Sequence, residues 1–164
     1  MSPPSTSRDC SGVGDGRSSR GADPSSRAID RRPLAPRGTP HGVLVEVGGL
    51  GTLLLGDSGG GKSECALALV QRGHRLVADD LVVVKRFHND ALVGSSAGVI
   101  RHHMELRGLG IVNVPLLFGV AAVLERHTVE LVIRLSHWVE GVEYDRHGFD
   151  EETETILGVA VPLV

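Results

Sequence analysis

Eight consecutive residues constrain the fold of this chain more than any other feature of its sequence. They match the spacing of a phosphate-binding loop, GxxxxGK[ST], in which glycines let the backbone turn tightly and point several N–H groups inward. A strand leads into such a loop and a helix follows it, because the positive end of the helix completes the anion site. The loop consists of Gly56, Asp57, Ser58, Gly59, Gly60, Gly61, Lys62 and Ser63.

The residues on both sides of this loop have the patterns that it requires. Alternating valines over 43–47, a glycine-rich turn over 48–51 and an apolar run over 52–55 predict a hairpin whose second strand enters the loop. Apolar residues at helical spacing over 63–72 predict a helix, and Gly73 is a natural stop for it.

Further strands are expected at 74–78, 81–84 and 129–135, where apolar and β-branched residues are dense. By contrast, the stretch 87–100 contains Asn-Asp and Gly-Ser-Ser and predicts a turn and loop. The order strand, glycine loop, helix, strand is that of an α/β phosphate-binding unit, and we expect a mixed sheet.

Residues 1–40 differ from the rest of the chain in composition. They hold seven Arg, four Asp and six of the eight prolines, with almost no large apolar side chain. Such a segment cannot bury enough surface to offset the entropy lost on ordering, so we expect a disordered tail over 1–40 and one folded domain over 41–164. The tail is net +3 and the domain net −6. An acidic domain with few aromatic residues is a poor match for nucleic acid.

Features of exported or membrane proteins are lacking in the sequence. No apolar run approaches the ~20 residues needed to cross a bilayer. Cys10 and Cys65 have neither CxxC spacing nor a paired framework. Prolines follow the Arg31-Arg32 pair where an export signal needs an apolar region. We therefore expect a cytoplasmic protein that binds no membrane.

Two acidic residues follow the strand expected at 74–78. Asp79 and Asp80 stand where the carboxyl end of a strand faces the crevice of an open α/β sheet. One carboxylate there can hold Mg²⁺ through water, and the second can accept the proton of an attacking hydroxyl. Lys62 supplies positive charge for the β- and γ-phosphates, and the Ser63 hydroxyl is placed to bind Mg²⁺. The alternative is an Asp pair that only begins a turn.

The loop is one of four blocks of sequence that occur in a specific order. The resemblance to a known family that they carry covers about three quarters of the chain, from residue 41 onwards. The blocks are His41-Gly42-Val43, then Gly56 to Ser63, then Arg72-Gly73-His74-Arg75-Leu76-Val77-Ala78-Asp79-Asp80, and finally Glu105-Leu106-Arg107-Gly108-Leu109-Gly110-Ile111. They resemble the catalytic domain of bacterial HPr kinase/phosphorylase, and the last block is similar to the signature segment of that family.

This resemblance implies an α/β P-loop kinase domain that is bacterial and cytoplasmic. It implies a protein-serine kinase that uses ATP, or pyrophosphate, with Mg²⁺ to phosphorylate a serine of the phosphocarrier HPr or a related carrier. In that family the same site also runs phosphorolysis of the phosphoserine by inorganic phosphate. The family assembles as a hexamer, which implies a homo-oligomer.

Residue roles follow from the same resemblance. Asp80 is implied to be the general base in phosphorylation and the acid in the reverse step, with Asp79 beside it. Lys62 and His41 are implied to act on the phosphates.

The resemblance also implies a metal site and a distal catalytic arginine. Ser63 and Glu105 are implied to bind Mg²⁺, and Arg146 is implied to be the arginine. The alternatives are a solvated acid at Glu105 and a surface ion pair at Arg146.

The chain departs from the family at both ends. The separate amino-terminal domain of the family is replaced by the tail, and the chain stops at 161–164, before a segment that the family links to phosphorolysis. We therefore expect a domain that is incomplete at its C-terminal end, with the reverse reaction and the hexamer left open. The final apolar run is expected to leave a sheet edge exposed.

Two other functions stay open from the sequence. One is a related P-loop kinase that acts on a small metabolite or a peptide. The other is a truncated module that binds ATP without turnover.

Overall fold

The computed structural model describes residues 36–98, 101–141 and 152–164. In this part of the chain two α-helices are present, α1 (Lys62–Gln71) and α2 (Val114–Phe118), and neither is long and apolar enough to cross a membrane. The strands in the same part are β1 (Arg37–Gly38), β2 (Val43–Val47), β3 (Leu50–Gly56), β4 (Arg75–Ala78), β5 (Val82–Arg86), β6 (Leu92–Ser96), β7 (His103–Leu106), β8 (Gly110–Asn113), β9 (Arg126–Thr128), β10 (Leu131–Leu135), β11 (Glu152–Ile156) and β12 (Val159–Leu163).

A six-stranded mixed sheet carries the phosphate loop. Its strand order is β11-β12-β10-β3-β2-β4. β10 runs parallel to both β3 and β12, while the other neighbours in this sheet are antiparallel. A second, four-stranded sheet has the order β1-β5-β6-β9, and β7 and β8 form a separate hairpin. The mixed sheet and the α/β class predicted from the sequence are confirmed.

The β2–β3 hairpin lies at the centre of the packing. Gly48 and Gly49, both with positive φ, make the turn that joins the two strands. β2 is buried on both faces: Leu44 belongs to one apolar cluster, whereas Val43 and Val45 belong to the other. Each such buried aliphatic side chain contributes about 1.5–3 kcal/mol from removal of its surface from water. Strand β3, which enters the loop, is packed in the same way, with Leu53 in the first cluster and Leu54 in the second.

Helix α1 covers one face of the six-stranded sheet. Ala66 and Val70, four residues apart, are its buried side chains and belong to the cluster that contains Val43 and Val45. The helix ends where the sequence predicts, since Gly73 has a φ of 94° and its N–H donates to the Val70 carbonyl at 3.0 Å.

The prediction of a turn and loop over 87–100 is wrong for residues 92–96, which form β6. The predicted turn is present around Asp90, whose φ is 59°, and β6 then pairs antiparallel with β5. Gly94 is buried, and its missing side chain lets Leu44 of the other sheet approach closely. Gly94, which favours a loop when only the sequence is considered, therefore lies in a strand and allows close packing there.

Ordered structure begins before residue 41, where the sequence placed the boundary of the tail. Strand β1 pairs with β5, and the Arg86 N–H donates to the Pro36 carbonyl at 3.2 Å. These residues gain sheet hydrogen bonds that their composition did not indicate. The rest of the predicted tail, 1–35, lies outside the described residues.

The expectation that the final apolar run leaves an exposed edge is also wrong. β12 lies between β10 and β11, with hydrogen-bonded neighbours on both sides. The Val164 N–H donates to the Val132 carbonyl at 3.0 Å, and the Arg134 N–H donates to the Val164 carbonyl at 2.9 Å. Side-chain pattern alone could not reveal that another strand, β11, covers this edge.

Candidate active site

The phosphate loop connects β3 to α1 as predicted. Gly56, Gly59 and Gly61 all have positive φ values, which side chains on an L-residue would strain. The Gly60 N–H donates to the Asp57 carbonyl at 3.0 Å, which closes the turn. Helix α1 begins directly after Gly61, so its free N–H groups and its dipole face the loop. This arrangement suits a phosphate group.

Lys62 lies back across the loop. Its ammonium group donates to the carbonyls of Gly56 at 2.8 Å and of Asp57 at 2.7 Å. A phosphate in the loop would compete with these two carbonyls for the same ammonium protons. The predicted role of Lys62 on the phosphates therefore requires an exchange of hydrogen-bond partners and stays a prediction.

Asp79 connects the loop to a second element. Its carboxylate accepts the Ser63 hydroxyl at 2.9 Å and the backbone N–H of Glu105 at 3.3 Å. Burial raises the pKa of Asp79, and the hydrogen bonds from Ser63 and from Glu105 oppose that rise. The fold therefore brings together Ser63, Asp79 and Glu105, which belong to three separate blocks of sequence.

Asp80 and His41 lie beside this group and face solvent. The His41 Nδ1 atom is 3.7 Å from a carboxylate oxygen of Asp80, and the two side chains are 76% and 80% exposed. Ion pairs this exposed contribute little to stability. An exposed carboxylate near a phosphate loop is, however, accessible to a hydroxyl group of a second molecule.

The β7–β8 hairpin forms the other wall of an open cleft of about 260 Å³. Glu105 and Arg107, two residues apart on it, both line the cleft. In the same segment Leu106 is buried in the opposite direction, while Leu109 is 76% exposed at the turn. The residues that line the cleft are Val43, Ser58, Gly59, Gly61, Lys62, Ser63, Glu64, Asp79, Asp80, Glu105 and Arg107.

Arg107 has a contact that the sequence did not indicate. A Cβ atom on Gly59 would overlap the Arg107 guanidinium, so the arginine lies directly against the loop. The sequence placed Arg107 in the signature segment but gave no role for it. Its two-residue spacing from Glu105 was a usable signal for a shared face, whereas the contact with Gly59 depends on the tertiary fold.

The oxygen atoms at the foot of the cleft have the right chemistry for Mg²⁺. This ion takes one or two carboxylates with phosphate oxygens and water rather than an all-protein cage. Ser63, Asp79 and Glu105 offer a hydroxyl and carboxylates of that kind. Within the described ranges, no group of three or more His, Cys, Asp or Glu side chains could hold a metal ion by itself. The predicted arginine, Arg146, lies outside these ranges.

Comparisons with known proteins point to a single family. Residues 32–164 match the family model described as the HPr Serine kinase C-terminal domain. An HPr kinase/phosphorylase of Leptospira biflexa is 52% identical over 141 residues, which are 85% of this chain and 44% of the relative. The HPr kinase/phosphorylase of Geobacter sulfurreducens is 55% identical over 131 residues, or 80% of this chain and 41% of the relative.

A solved structure is also similar. The Hpr(Ser) kinase/phosphatase from Coxiella burnetii superimposes with a TM-score of 0.70 at 37% sequence identity, and the match covers 77% of each chain. The chain spans less than half the length of the curated relatives that it matches.

Proposed function

This chain belongs to the HPr serine kinase C-terminal domain family, and from that premise we propose that it transfers the γ-phosphoryl group of ATP to a serine of an HPr-like phosphocarrier. The observation that carries the proposal is the junction at Asp79. It accepts hydrogen bonds from the helix after the phosphate loop and from the hairpin that bears Glu105. Beside it, Asp80 is exposed toward solvent, where a protein hydroxyl can reach it.

In the proposed reaction, Asp80 accepts the proton of the serine hydroxyl as its oxygen attacks the γ-phosphorus. The bond from that phosphorus to the β-phosphate oxygen breaks, and ADP leaves. A serine hydroxyl is a weak nucleophile, so a carboxylate that takes its proton typically contributes about 10²–10⁴-fold to the rate. In the reverse direction an oxygen of inorganic phosphate bonds to the phosphorus of phosphoserine, the bond from that phosphorus to the serine oxygen breaks, and protonated Asp80 gives its proton to the serine oxygen as pyrophosphate forms.

The remaining residues are proposed to hold the phosphates and the metal. N–H groups of the loop and of the first turn of α1 donate to phosphate oxygens, and Lys62 and His41 add positive charge. Ser63 and Glu105, with Asp79 acting through water, would hold Mg²⁺, which neutralises charge on the β- and γ-phosphates when it is bound. Arg146 is proposed as a further cation for the transferring group.

Location and domain limits complete the proposal. We place the enzyme in the bacterial cytoplasm, where ATP and carrier meet. The catalytic domain is proposed to run from about residue 41 to 164, with β1 from just before it as the fourth strand of its smaller sheet.

Labelled phosphate transfer tests this function. The chain is incubated with γ-labelled ATP, Mg²⁺ and an HPr-like carrier, and label on the carrier is then measured after acid treatment. Acid-stable label is expected, because phosphoserine survives acid and phosphohistidine does not. ATP binding without any label would instead identify a nucleotide-binding module without turnover, and label on a small molecule would identify a metabolite kinase.

Two variants assign the roles. Lys62→Ala should abolish transfer, whereas Lys85→Ala should not, since Lys85 is the second of the two lysines and lies in β5. Asp80→Asn should lower kcat by about 10²–10⁴-fold while nucleotide still binds. Full transfer by either Lys62→Ala or Asp80→Asn would refute the corresponding role.

A further inference from the structure

Asp80 has an unusual backbone conformation. Its φ is 67°, in the left-handed region that residues with a side chain rarely adopt. Leu81, the next residue, donates its N–H to the Asp79 carbonyl at 2.9 Å, so the chain turns sharply at Asp80. Strained residues of this kind persist only when the surrounding structure holds them in place.

The segment just before β2 holds this turn. The Gly42 N–H donates to the Asp80 carbonyl at 3.0 Å, and the Val82 N–H donates to the Pro40 carbonyl at 3.2 Å. These two bonds lie on either side of Leu81, which pairs with His41, and the first of them holds the carbonyl of Asp80 itself. They hold the backbone on the C-terminal side of Asp80, and His41 of the same segment lies beside the Asp80 carboxylate.

Gly42 is also fitted tightly against the strand that enters the phosphate loop. A Cβ atom at this position would lie 2.6 Å from the Leu54 carbonyl oxygen and 2.9 Å from a methyl carbon of Leu55. Real Cβ contacts are essentially never that short, and a backbone oxygen cannot move aside as a side chain can. Any side chain at 42 therefore pushes the segment away from β3.

We propose that Gly42 is a positioning residue for phosphoryl transfer. By lying against β3 and bonding to the backbone of Asp80, it fixes the distance between the Asp80 carboxylate and the phosphate loop. This inference rests on the proposed function of Asp80 as the base. A displacement of about 1 Å between reacting groups costs about 10²-fold in rate.

The variant Gly42→Ala tests the proposal in the full chain. We expect kcat for transfer to the carrier to fall by about 10–100-fold, with the KM and the dissociation constant for ATP changed by no more than about twofold. Gly94→Ala is the matched control, because Gly94 is also buried, but a Cβ atom there would meet the side chains of Leu44, Val82 and Val129 and not strand β3. Equal kcat values for Gly42→Ala and the wild type would overturn the proposal.

A double variant separates positioning from a general structural defect. If Gly42 acts through Asp80, then Asp80→Asn and Asp80→Asn combined with Gly42→Ala should have the same residual kcat, since the base is already lost. A further loss of about 10-fold or more in the double variant would show a role independent of Asp80.

A comparison of stabilities tests the geometry even if Gly42→Ala does not fold. Asp80→Gly and Asp80→Ala both lack the carboxylate, but only glycine tolerates the left-handed conformation. Asp80→Gly should therefore unfold at a higher temperature than Asp80→Ala. Equal unfolding temperatures would show that the turn is not held and would sink the proposal. This result requires no turnover, so it is distinct from a failure of the proposed function.

Discussion

Two alanine substitutions in the phosphate loop should have different effects on nucleotide binding. Gly59 and Gly61 have similar φ values of 79° and 85°. A Cβ atom at Gly61 would meet open space, whereas one at Gly59 would overlap the Arg107 guanidinium. The pair therefore separates the backbone strain of the loop from the contact with Arg107.

The expected magnitudes follow from these contacts. An L-residue in the left-handed region costs about 1–2 kcal/mol. If the free loop of the variant relaxes and must return to the conformation seen here to bind ATP, this cost appears as ~5- to 30-fold weaker binding. Gly61→Ala should lose that amount. Gly59→Ala should lose more, because displacement of Arg107 removes a charged hydrogen-bond donor from the cleft, worth about 1.5–3 kcal/mol or a further ~10- to 150-fold.

Isothermal titration with ATP and Mg²⁺ measures both losses. Thermal unfolding of each variant, without nucleotide, checks that the fold is retained. In an Arg107→Ala background the two alanine variants should bind ATP with similar affinity, since the clash is gone. Equal weakening of binding by Gly59→Ala and Gly61→Ala in the otherwise wild-type chain would refute a role for Arg107 at the loop.

Two further predictions concern stability. Burial raises the pKa of Asp79 above its ordinary value of 3.8, so the folded state binds the proton more tightly than the unfolded state does. The free energy of unfolding therefore falls as pH rises above 3.8. When unfolding is measured against pH without Mg²⁺, Asp79→Asn should show a flatter decline. A 2.7 Å hydrogen bond from Arg75 lowers the pKa of Glu46 below 4.5, so the stability from this pair is present at neutral pH and lost as pH falls below 4.5. Arg75→Ala should therefore cost about 1–3 kcal/mol in denaturant unfolding at pH 7 and show a weaker acid dependence, and an unchanged midpoint would contradict this.

The parts of the fold that sequence could predict are those built from local pattern. The alternating valines of β2, the glycine-rich turn and the loop ending at Ser63 lie within about twenty residues, and the structure follows the prediction there. β6 was missed because Gly94 and the serines after it resemble a loop, although the glycine serves contact with Leu44 from another sheet. Such a contact joins residues far apart in sequence and has no local signal.

For the candidate site, too, the sequence could identify residues but not the contacts between distant segments. Its members were identified by motif and by resemblance, and their roles remain predictions. The bond from the Gly42 N–H to the Asp80 carbonyl and the approach of Arg107 to Gly59 arise only when separate elements pack together. Neither follows from residue type or spacing, because glycine and arginine are common on loops for other reasons.

The parallel pairing of β10 with β3 sets the order in which this domain can assemble. Gly51 and Glu130, which join the two segments through an N–H to carboxylate bond of 3.0 Å, are 79 residues apart. Pairings between such distant segments form slowly, because a long loop must close before any contact rewards it. On the ribosome, the β2–β3 hairpin and α1 can therefore form early. Strand β3, which enters the phosphate loop, pairs with its second neighbour, β10, only after β10 has emerged. Nascent chains should acquire tight nucleotide binding late in synthesis.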